Sequence, residues 1–108
     1  MIIYVAGPMT GYPEFNYPAF IAAAQALRDL GHDVLNPVDS EMYNDTGKPQ
    51  TWDWYMRHAL RMVLDAEAVA LLPGWQVSRG AQLEHEVASA LGLPRFPLRA
   101  WLAGEVLS

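Results

Sequence analysis

The sequence predicts an α/β protein, a three-layer sandwich of Rossmann-like or flavodoxin-like type with a four- to five-stranded parallel sheet. Short apolar runs typical of buried strands alternate with longer segments whose apolar residues recur at helical spacing. The connections between them are short, which favours parallel β-α-β units with helices on both faces of the sheet. At 108 residues the chain is expected to form one domain over residues 1–108.

The composition excludes several classes of protein. A hydrophobic content of 52% with 18% charged residues is typical of a folded core. The absence of cysteine excludes disulfides, thiolate metal sites and a cysteine nucleophile. A net charge of −5 without a Lys/Arg cluster argues against nucleic-acid binding. Because the sequence has no signal-peptide pattern and no apolar run of roughly 20 residues, we expect a cytoplasmic protein without a membrane span.

The first half of the chain is predicted to contain two strands and one helix. Residues 2–6 are β-branched and aromatic and should form a buried strand. Asn16 can cap a helix that Gly31 ends. Residues 32–36 form the second strand, and the polar, turn-rich residues 38–50 are expected to be a mobile loop.

The second half alternates helices and strands. Its expected elements are a helix over 52–64, a strand over 66–72, a helix over 78–91, a short strand over 95–98 and one or two helical turns over 100–106. Thr51 is a good cap for the first of these helices. The inner face of that helix should carry Trp52, Tyr55, Met56 and Val63, with Ala59 near its centre.

The segment that follows the strand over 66–72 has the features of a binding site. Ser78 and Gly80 open a helix, and free backbone N–H groups at such an end favour a phosphate or another anion. Helical spacing places Glu84 within an apolar stripe, where a carboxylate would lose hydration. That stripe comprises Gly80, Leu83, Val87, Ala90 and Leu91. The alternative is a glutamate at the margin of the stripe that simply reaches water.

Other catalytic patterns are missing from the sequence. The loop after the first strand matches neither the dinucleotide fingerprint nor the Walker loop, and the three histidines lack metal-ligand spacing. A buried carboxylate near anion donors suits covalent attack on a sugar carbon, so Glu84 is the candidate nucleophile. Tyr4 could hydrogen-bond and orient it, although a tyrosine in a strand is commonly a core aromatic.

Four motifs resemble those of an uncharacterised bacterial and phage family. They are Ile3-Tyr4-Val5-Ala6-Gly7-Pro8-Met9-Thr10-Gly11, Asn36-Pro37, Leu71-Leu72-Pro73-Gly74-Trp75, and Ser78-Arg79-Gly80-Ala81 followed by Leu83-Glu84. That family is related to the nucleoside 2-deoxyribosyltransferases and the 2′-deoxynucleoside 5′-monophosphate N-glycosidases. The resemblance extends over nearly the whole chain.

The resemblance implies roles for particular residues. Glu84 would be the nucleophile that attacks the anomeric carbon, and Tyr4 would hold it. Ser78 matches a serine that touches the 5′-phosphate in the nucleotide hydrolases, whereas the nucleoside transferases carry an aspartate there. The substrate-binding residues would be Gly7, Pro8, Met9, Ser78, Arg79 and Gly80. Neither a metal nor a cofactor is implied, and a homodimer or larger homo-oligomer is expected.

One position departs from the pattern of these relatives. They carry an aspartate, involved in proton transfer to the leaving base, where this sequence has Ala59. There are three alternatives. Another acid (Asp39, Asp45 or Asp53) transfers the proton to the leaving base, the enzyme is slow, or the protein binds its ligand without turnover. Three hypotheses therefore stay open: an N-glycosidase or deoxyribosyltransferase acting on a nucleotide or nucleoside, a nucleotide-binding sensor, and an interaction module for a protein partner.

Overall fold

A four-stranded, all-parallel sheet forms the centre of the molecule in the computed structural model, which describes residues 1–106. Its strands are β1 (Ile2–Ala6), β2 (Asp33–Leu35), β3 (Ala68–Leu71) and β4 (Arg95–Pro97). Their order across the sheet is β2-β1-β3-β4. This is the order of flavodoxin-like, doubly wound proteins. The predicted fold class is therefore confirmed, with four strands in the sheet.

Helices cover both faces of this sheet. They are α1 (Tyr17–Asp29), α2 (Trp52–Asp65), α3 (Arg79–Ala90) and α4 (Leu98–Leu102). Ile3 and Val5 of β1 pack with α1 and α4, whereas Tyr4 and Ala6 pack with α2 and α3. Alternate residues of a strand point to opposite faces, so β1 contributes to both apolar clusters. Within residues 1–106, no helix is long and apolar enough to span a membrane.

The carboxyl ends of the three adjacent strands lie at one edge of the sheet. Tyr4 is paired with Leu35 of β2, and Ala6 is paired with Leu71 of β3. The chain winds in opposite directions from β1 and β3, and ligands of doubly wound sheets bind in the crevice that this reversal opens. The segments after these strands therefore surround the expected binding region.

The segment after β2 differs from the prediction of a mobile loop over 38–50. Its first half is a 3-10 helix, Pro37–Tyr43, in which Pro37 and Ser40 are buried. The Asn36 side chain accepts a hydrogen bond from the Val38 N–H at 3.1 Å, and Ser40 Oγ donates to the Pro37 carbonyl at 2.8 Å. Such local hydrogen bonds order a short turn without any apolar periodicity, which is why the sequence pattern missed it.

The buried face of α3 is also different from the predicted stripe. Its buried residues are Ala81, Glu84 and Ala88, whereas Leu91 is half exposed. The small alanines let the helix lie close to the sheet, and this turns the face by about one residue, or roughly 100°. Glu84 consequently lies at the centre of the buried face.

Two smaller differences concern the ends of elements. The last helix, α4, begins at Leu98, which the sequence had assigned to the preceding strand. Asn16 occupies the N-cap position of α1, but it has a left-handed backbone with φ 61° and its side chain makes no capping hydrogen bond. Instead Asn16 Nδ2 donates to the Pro8 carbonyl at 3.0 Å. The amide therefore ties the start of α1 to the loop after β1.

Candidate active site

A cavity of about 610 Å³ opens at the carboxyl edge of the sheet. Segments that follow each of the three adjacent strands line it, including Gly7 after β1, Glu41 after β2 and Glu84 in the helix after β3. Its volume falls within the range of small-molecule binding sites. The cavity thus lies where the topology predicts a ligand.

Glu84 is the buried carboxyl group of this cavity. Its side chain is only 6% exposed, and its Oε2 accepts a hydrogen bond from the Tyr4 hydroxyl. Burial raises the pKa of Glu84 to about 8, because removing water disfavours the charged form. The hydrogen bond from Tyr4 lowers this pKa and so opposes the effect of burial. Burial therefore favours the neutral form of the resting carboxyl group.

Tyr4 lies behind Glu84, on the face of β1 that packs against α2 and α3. It is fully buried, and its pKa is raised well above its usual value by burial, then by the charge of Glu84 and the hydrogen bond to it. The phenol therefore stays protonated and acts as a hydrogen-bond donor. This donor holds Oε2 of Glu84, and in the ionised form of the carboxyl group Oε1 keeps its lone pairs for other partners.

The first turn of α3 forms another part of the cavity. Ser78 and Gly80 both line it. Ser78 Oγ accepts from the Ala81 N–H at 3.3 Å and so caps the helix. The N–H groups of the first helical residues have no carbonyl partner within the helix, so they can donate to an anion.

Gly7 and Gly80 lie where a side chain would be crowded. A Cβ atom at position 7 would be 2.7 Å from Leu72 Cβ, which no ordinary packing permits. At position 80 it would be 3.1 Å from Met56 Sδ and 3.8 Å from Trp52 Nε1. Glycine at position 7 therefore lets the first loop pass directly against the end of the third strand.

The other residues named from the sequence have different positions. Met9 lines the cavity, whereas Pro8 and Arg79 are not among the described residues that form its wall. The Arg79 guanidinium lies over the Trp52 ring, 3.9 Å from the ring centroid, and Trp52 does line the cavity. Arg79 thus contacts a residue of the cavity wall in a cation–π arrangement.

A second carboxylate in the cavity was not anticipated from the sequence. Glu41 belongs to the 3-10 helix after β2, and Tyr55 of α2 donates to its Oε1 at 2.5 Å. Asn44 Nδ2 donates to its Oε2 at 3.2 Å. All three residues line the cavity, together with Tyr17. The inward face of α2 pointed to Tyr55, but no local signal in the turn-rich segment distinguished Glu41.

Ala59, the position at which the resemblance implied an acid, lines the cavity. It is 5% exposed and lies on the buried face of α2, as the helical spacing predicted. The three aspartates considered as replacements, Asp39, Asp45 and Asp53, are not among the described residues that line the cavity. Among the described residues, no group of three or more possible ligands could hold a metal ion.

Phe15 lines the cavity from a turn that sequence periodicity could not reveal. Glu14, Phe15 and Asn16 have positive φ values of 52°, 53° and 61°. Left-handed backbone at consecutive non-glycine residues costs of order 1 kcal/mol or more each. The ring of Phe15 is 55% exposed despite its place beside the cavity. A strained turn thus holds an apolar side chain against the cavity.

The fold and the site together define a class of protein: a flavodoxin-like α/β protein with a buried carboxyl group at the carboxyl edge of its sheet. More particularly, the chain belongs to the family described as "Domain of unknown function (DUF4406)", whose model matches residues 1–95. No curated protein matches the sequence.

Several solved structures match the chain, and one of them is similar over most of its length. It is a 2-deoxyribosyltransferase from the psychrotolerant bacterium Bacillus psychrosaccharolyticus, with a TM-score of 0.63 and 24% sequence identity. The match covers 88% of this chain and 69% of that one. At this level of identity the similarity establishes a shared fold.

Proposed function

We propose that this protein cleaves the N-glycosidic bond of a nucleoside 5′-monophosphate, with Glu84 as the nucleophile. The observation that carries the proposal is a buried glutamate that lines the cavity and is held by Tyr4. The similarity of fold to a 2-deoxyribosyltransferase supports the same class of chemistry. The product of the first step would be a glycosyl-enzyme and a free base.

The reaction requires Glu84 as a carboxylate. Its Oε1 attacks the anomeric carbon while the bond from that carbon to the base nitrogen breaks, and the electron pair leaves with the base. A proton must reach the base, either while the bond breaks or after the base has left as an anion. Water, or a second base, then attacks the same carbon and releases Glu84. Two displacements at one carbon give net retention of configuration.

A phosphate on the substrate is supported by the start of α3. Ser78 and the N–H groups of Arg79 and Gly80 provide neutral donors at the positive end of the helix dipole. A nucleoside has no phosphate, so these donors would hydrogen-bond only to water. We therefore propose the monophosphate as the substrate. The second step would be hydrolysis or transfer of the sugar to another base.

We also propose that the protein forms a homodimer or larger homo-oligomer.

A second candidate function is nucleotide binding without turnover. The observation that favours it is Ala59, which lines the cavity without a proton-donating group. Loss of general acid help typically lowers a rate by about 10²–10⁴-fold. A sensor or regulator without general acid help would still keep the cavity and the first turn of α3, and so would still bind a nucleotide.

The deciding experiment is to incubate the protein with a panel of nucleoside 5′-monophosphates and measure free base by chromatography. We expect base release from at least one of them, and loss of that release in Glu84→Gln, since an amide cannot form the glycosyl ester. Intact-protein mass spectrometry of a quenched reaction should show a sugar-phosphate adduct in the parent protein alone.

Glu86→Gln is the matched control, because Glu86 lies on the same helix and is exposed. It should release base at the parental rate. Release at the parental rate by Glu84→Gln would eliminate Glu84 as the nucleophile. Binding of a nucleotide with no detectable base release by the parent would favour the sensor instead.

A further inference from the structure

We propose that Glu41 recognises the base of the substrate and selects a base that offers two neighbouring N–H donors, as the edge of guanine does. This inference rests on the proposed function, because it takes the ligand to be a nucleotide. It assigns a specificity-determining role to a residue in a segment that has no recognisable motif.

The strand order separates the segment that carries Glu41 from the segment that begins α3. Glu41 follows β2, whereas Ser78 and Glu84 follow β3, and β1 lies between these two strands. Strands two positions apart are separated by about 10 Å. If the phosphate binds at Ser78 and the anomeric carbon lies at Glu84, the base extends toward the β2 side, where Glu41 is found.

The side chain of Glu41 is held by neighbours that are themselves part of the cavity. Oε1 accepts from the Tyr55 hydroxyl at 2.5 Å, and Oε2 accepts from Asn44 Nδ2 at 3.2 Å. Each oxygen of a carboxylate can accept two hydrogen bonds, so each retains the capacity for one more. Burial raises the pKa of Tyr17, followed by the charges of Glu41 and Tyr55 and a hydrogen bond to Glu41, so the Tyr17 phenol stays neutral beside this carboxylate. A ligand donor at Glu41 would therefore share the remaining acceptor sites with the Tyr17 hydroxyl.

The surroundings of Glu41 suit a flat aromatic ligand. Phe15, Tyr17, Trp52 and Tyr55 line the same cavity. Stacking on aromatic side chains binds any base, since every base has a π face, so it contributes affinity and little selectivity. Selectivity must therefore come from hydrogen bonds to the polar edge of the base. Glu41 is the carboxylate that lies next to these aromatic side chains in the cavity wall.

Two acceptor oxygens side by side discriminate among bases by their hydrogen-bonding edges. Guanine presents a ring N–H next to an amino group, which matches a carboxylate with two hydrogen bonds. Hypoxanthine keeps the ring N–H and lacks the amino group. Adenine and cytosine place a ring acceptor beside their amino group, which would face a carboxylate oxygen. A site built to bind a donor pair rejects a ligand that lacks one donor, because an acceptor is then left unpaired.

The test measures binding separately from turnover. Titration calorimetry on the Glu84→Gln protein would compare guanine and hypoxanthine 5′-monophosphates, each in ribo and 2′-deoxy form. These two bases differ by one amino group. We expect the guanine nucleotide to bind at least about tenfold more tightly, a ratio typical of one bidentate contact. Adenine and cytosine nucleotides should bind more weakly than either.

Glu41→Gln in the same background should reduce the ratio between guanine and hypoxanthine to near one, because an amide presents one donor and one acceptor. Asp39→Asn is the matched control, since Asp39 lies in the same 3-10 helix, is exposed and does not line the cavity. It should leave the ratio unchanged. Thermal unfolding would show that both variants are folded.

Equal affinity for the two nucleotides, or an unchanged ratio in Glu41→Gln, would overturn the role of Glu41. The ligand comparison remains decisive even if Glu41→Gln fails to fold. Failure of the proposed function gives a different result, namely no base release by the parent protein on any nucleotide. A protein that binds guanine nucleotides selectively and releases no base would retain this inference and lose the enzymatic proposal. If no nucleotide in the panel bound, both the role of Glu41 and the enzymatic proposal would be overturned.

Discussion

Tyr4 and Glu84 are 80 positions apart in the sequence, and a buried hydrogen bond joins the Tyr4 hydroxyl to Glu84 Oε2. Tyr4 belongs to β1 and Glu84 to α3. The pair exists only because α3 packs on the face of the sheet from which Tyr4 projects. Burial dominates the balance at Glu84, because its pKa is raised despite a hydrogen bond that favours the charged form.

The first prediction concerns stability and pH. The pKa of Glu84 is 4.5 in an unstructured chain and about 8 in the folded protein. Between these values the folded state holds a proton that the unfolded state has released, so the contribution of Glu84 to stability falls as pH rises. The loss is up to about 1.4 kcal/mol for each pH unit. This loss of stability begins above about pH 4.5 and reaches its full size above about pH 8.

Glu84→Gln isolates this effect, because an amide does not titrate. Denaturant unfolding of both proteins between pH 5 and pH 8 should show the variant becoming progressively more stable relative to the parent. Glu86→Gln, at an exposed position on the same helix, should show no such trend. A constant difference between Glu84→Gln and the parent across this range would mean that the pKa of Glu84 is not raised.

The second prediction concerns Tyr4→Phe. The phenylalanine ring fills the same space and removes only the hydrogen bond that stabilises the Glu84 carboxylate. The pKa of Glu84 should therefore move further upward. Base release, followed as kcat/KM against pH, should reach its plateau at higher pH than in the parent and fall by about tenfold or more at neutral pH. A midpoint that stays in place or moves to lower pH would contradict the donor role of Tyr4.

The third prediction concerns the start of α3. Ser78→Ala should weaken binding of a 5′-monophosphate by about 1–2 kcal/mol, as expected for one hydrogen bond to a charged group. Binding of the matching nucleoside should barely change. Ser78 also caps its helix, and losing a cap costs about 1 kcal/mol of stability.

Thr51→Ala is the control for the loss of a cap. Thr51 accepts from the Trp54 N–H at 3.3 Å at the start of α2, and it does not line the cavity. It should lower the unfolding temperature to a similar degree without changing nucleotide affinity. Equal losses of nucleotide and nucleoside binding in Ser78→Ala would remove the reason for preferring the monophosphate.

The fourth prediction concerns Ala59. An aspartate there would line the cavity in a buried position, where burial raises the pKa of a carboxyl group and suits it to donate a proton at neutral pH. We expect slow base release by the parent and at least about a tenfold gain in Ala59→Asp, with some loss of stability. Rates would be measured by chromatography of the free base.

Ala59→Asn separates acidity from shape, because its amide has nearly the same size and cannot supply the proton. It should show the loss of stability without the gain in rate. A parent protein that already turns over at about 10 s⁻¹, typical of enzymes generally, combined with an inactive Ala59→Asp variant, would contradict this account. The proton donor would then have to be sought in residues 38–50 or, if the protein forms the proposed homo-oligomer, in a neighbouring subunit.

The sequence by itself determined the order and kind of the principal elements. Residues 2–6 and the apolar run that forms β3 are strands because short apolar runs end at Gly-Pro and Pro-Gly pairs. The spacing of Met56, Ala59 and Val63 marked the buried face of α2 correctly. These features depend on local backbone preferences and on periodicity, and both can be read from neighbouring residues.

Tertiary packing decided which face of α3 is buried and what surrounds the cavity. Leu83, Val87 and Leu91 form an apolar stripe in the sequence, yet Ala81, Glu84 and Ala88 are the buried residues. Small side chains allow close approach to the sheet, and that gain depends on the partner surface, which the helix sequence does not contain. Glu41 came into the cavity through contacts with Tyr55 of α2, a residue 14 positions away.

The chemistry of Glu84 combines both levels. Its type and its place soon after Ser78 are written in the sequence, and they suffice to nominate it as a nucleophile. Its raised pKa is a property of the folded protein, because it arises from water excluded by the sheet and the helices that pack around it. A carboxyl group acquires such a pKa only when distant segments enclose it, so no local pattern could have predicted the value.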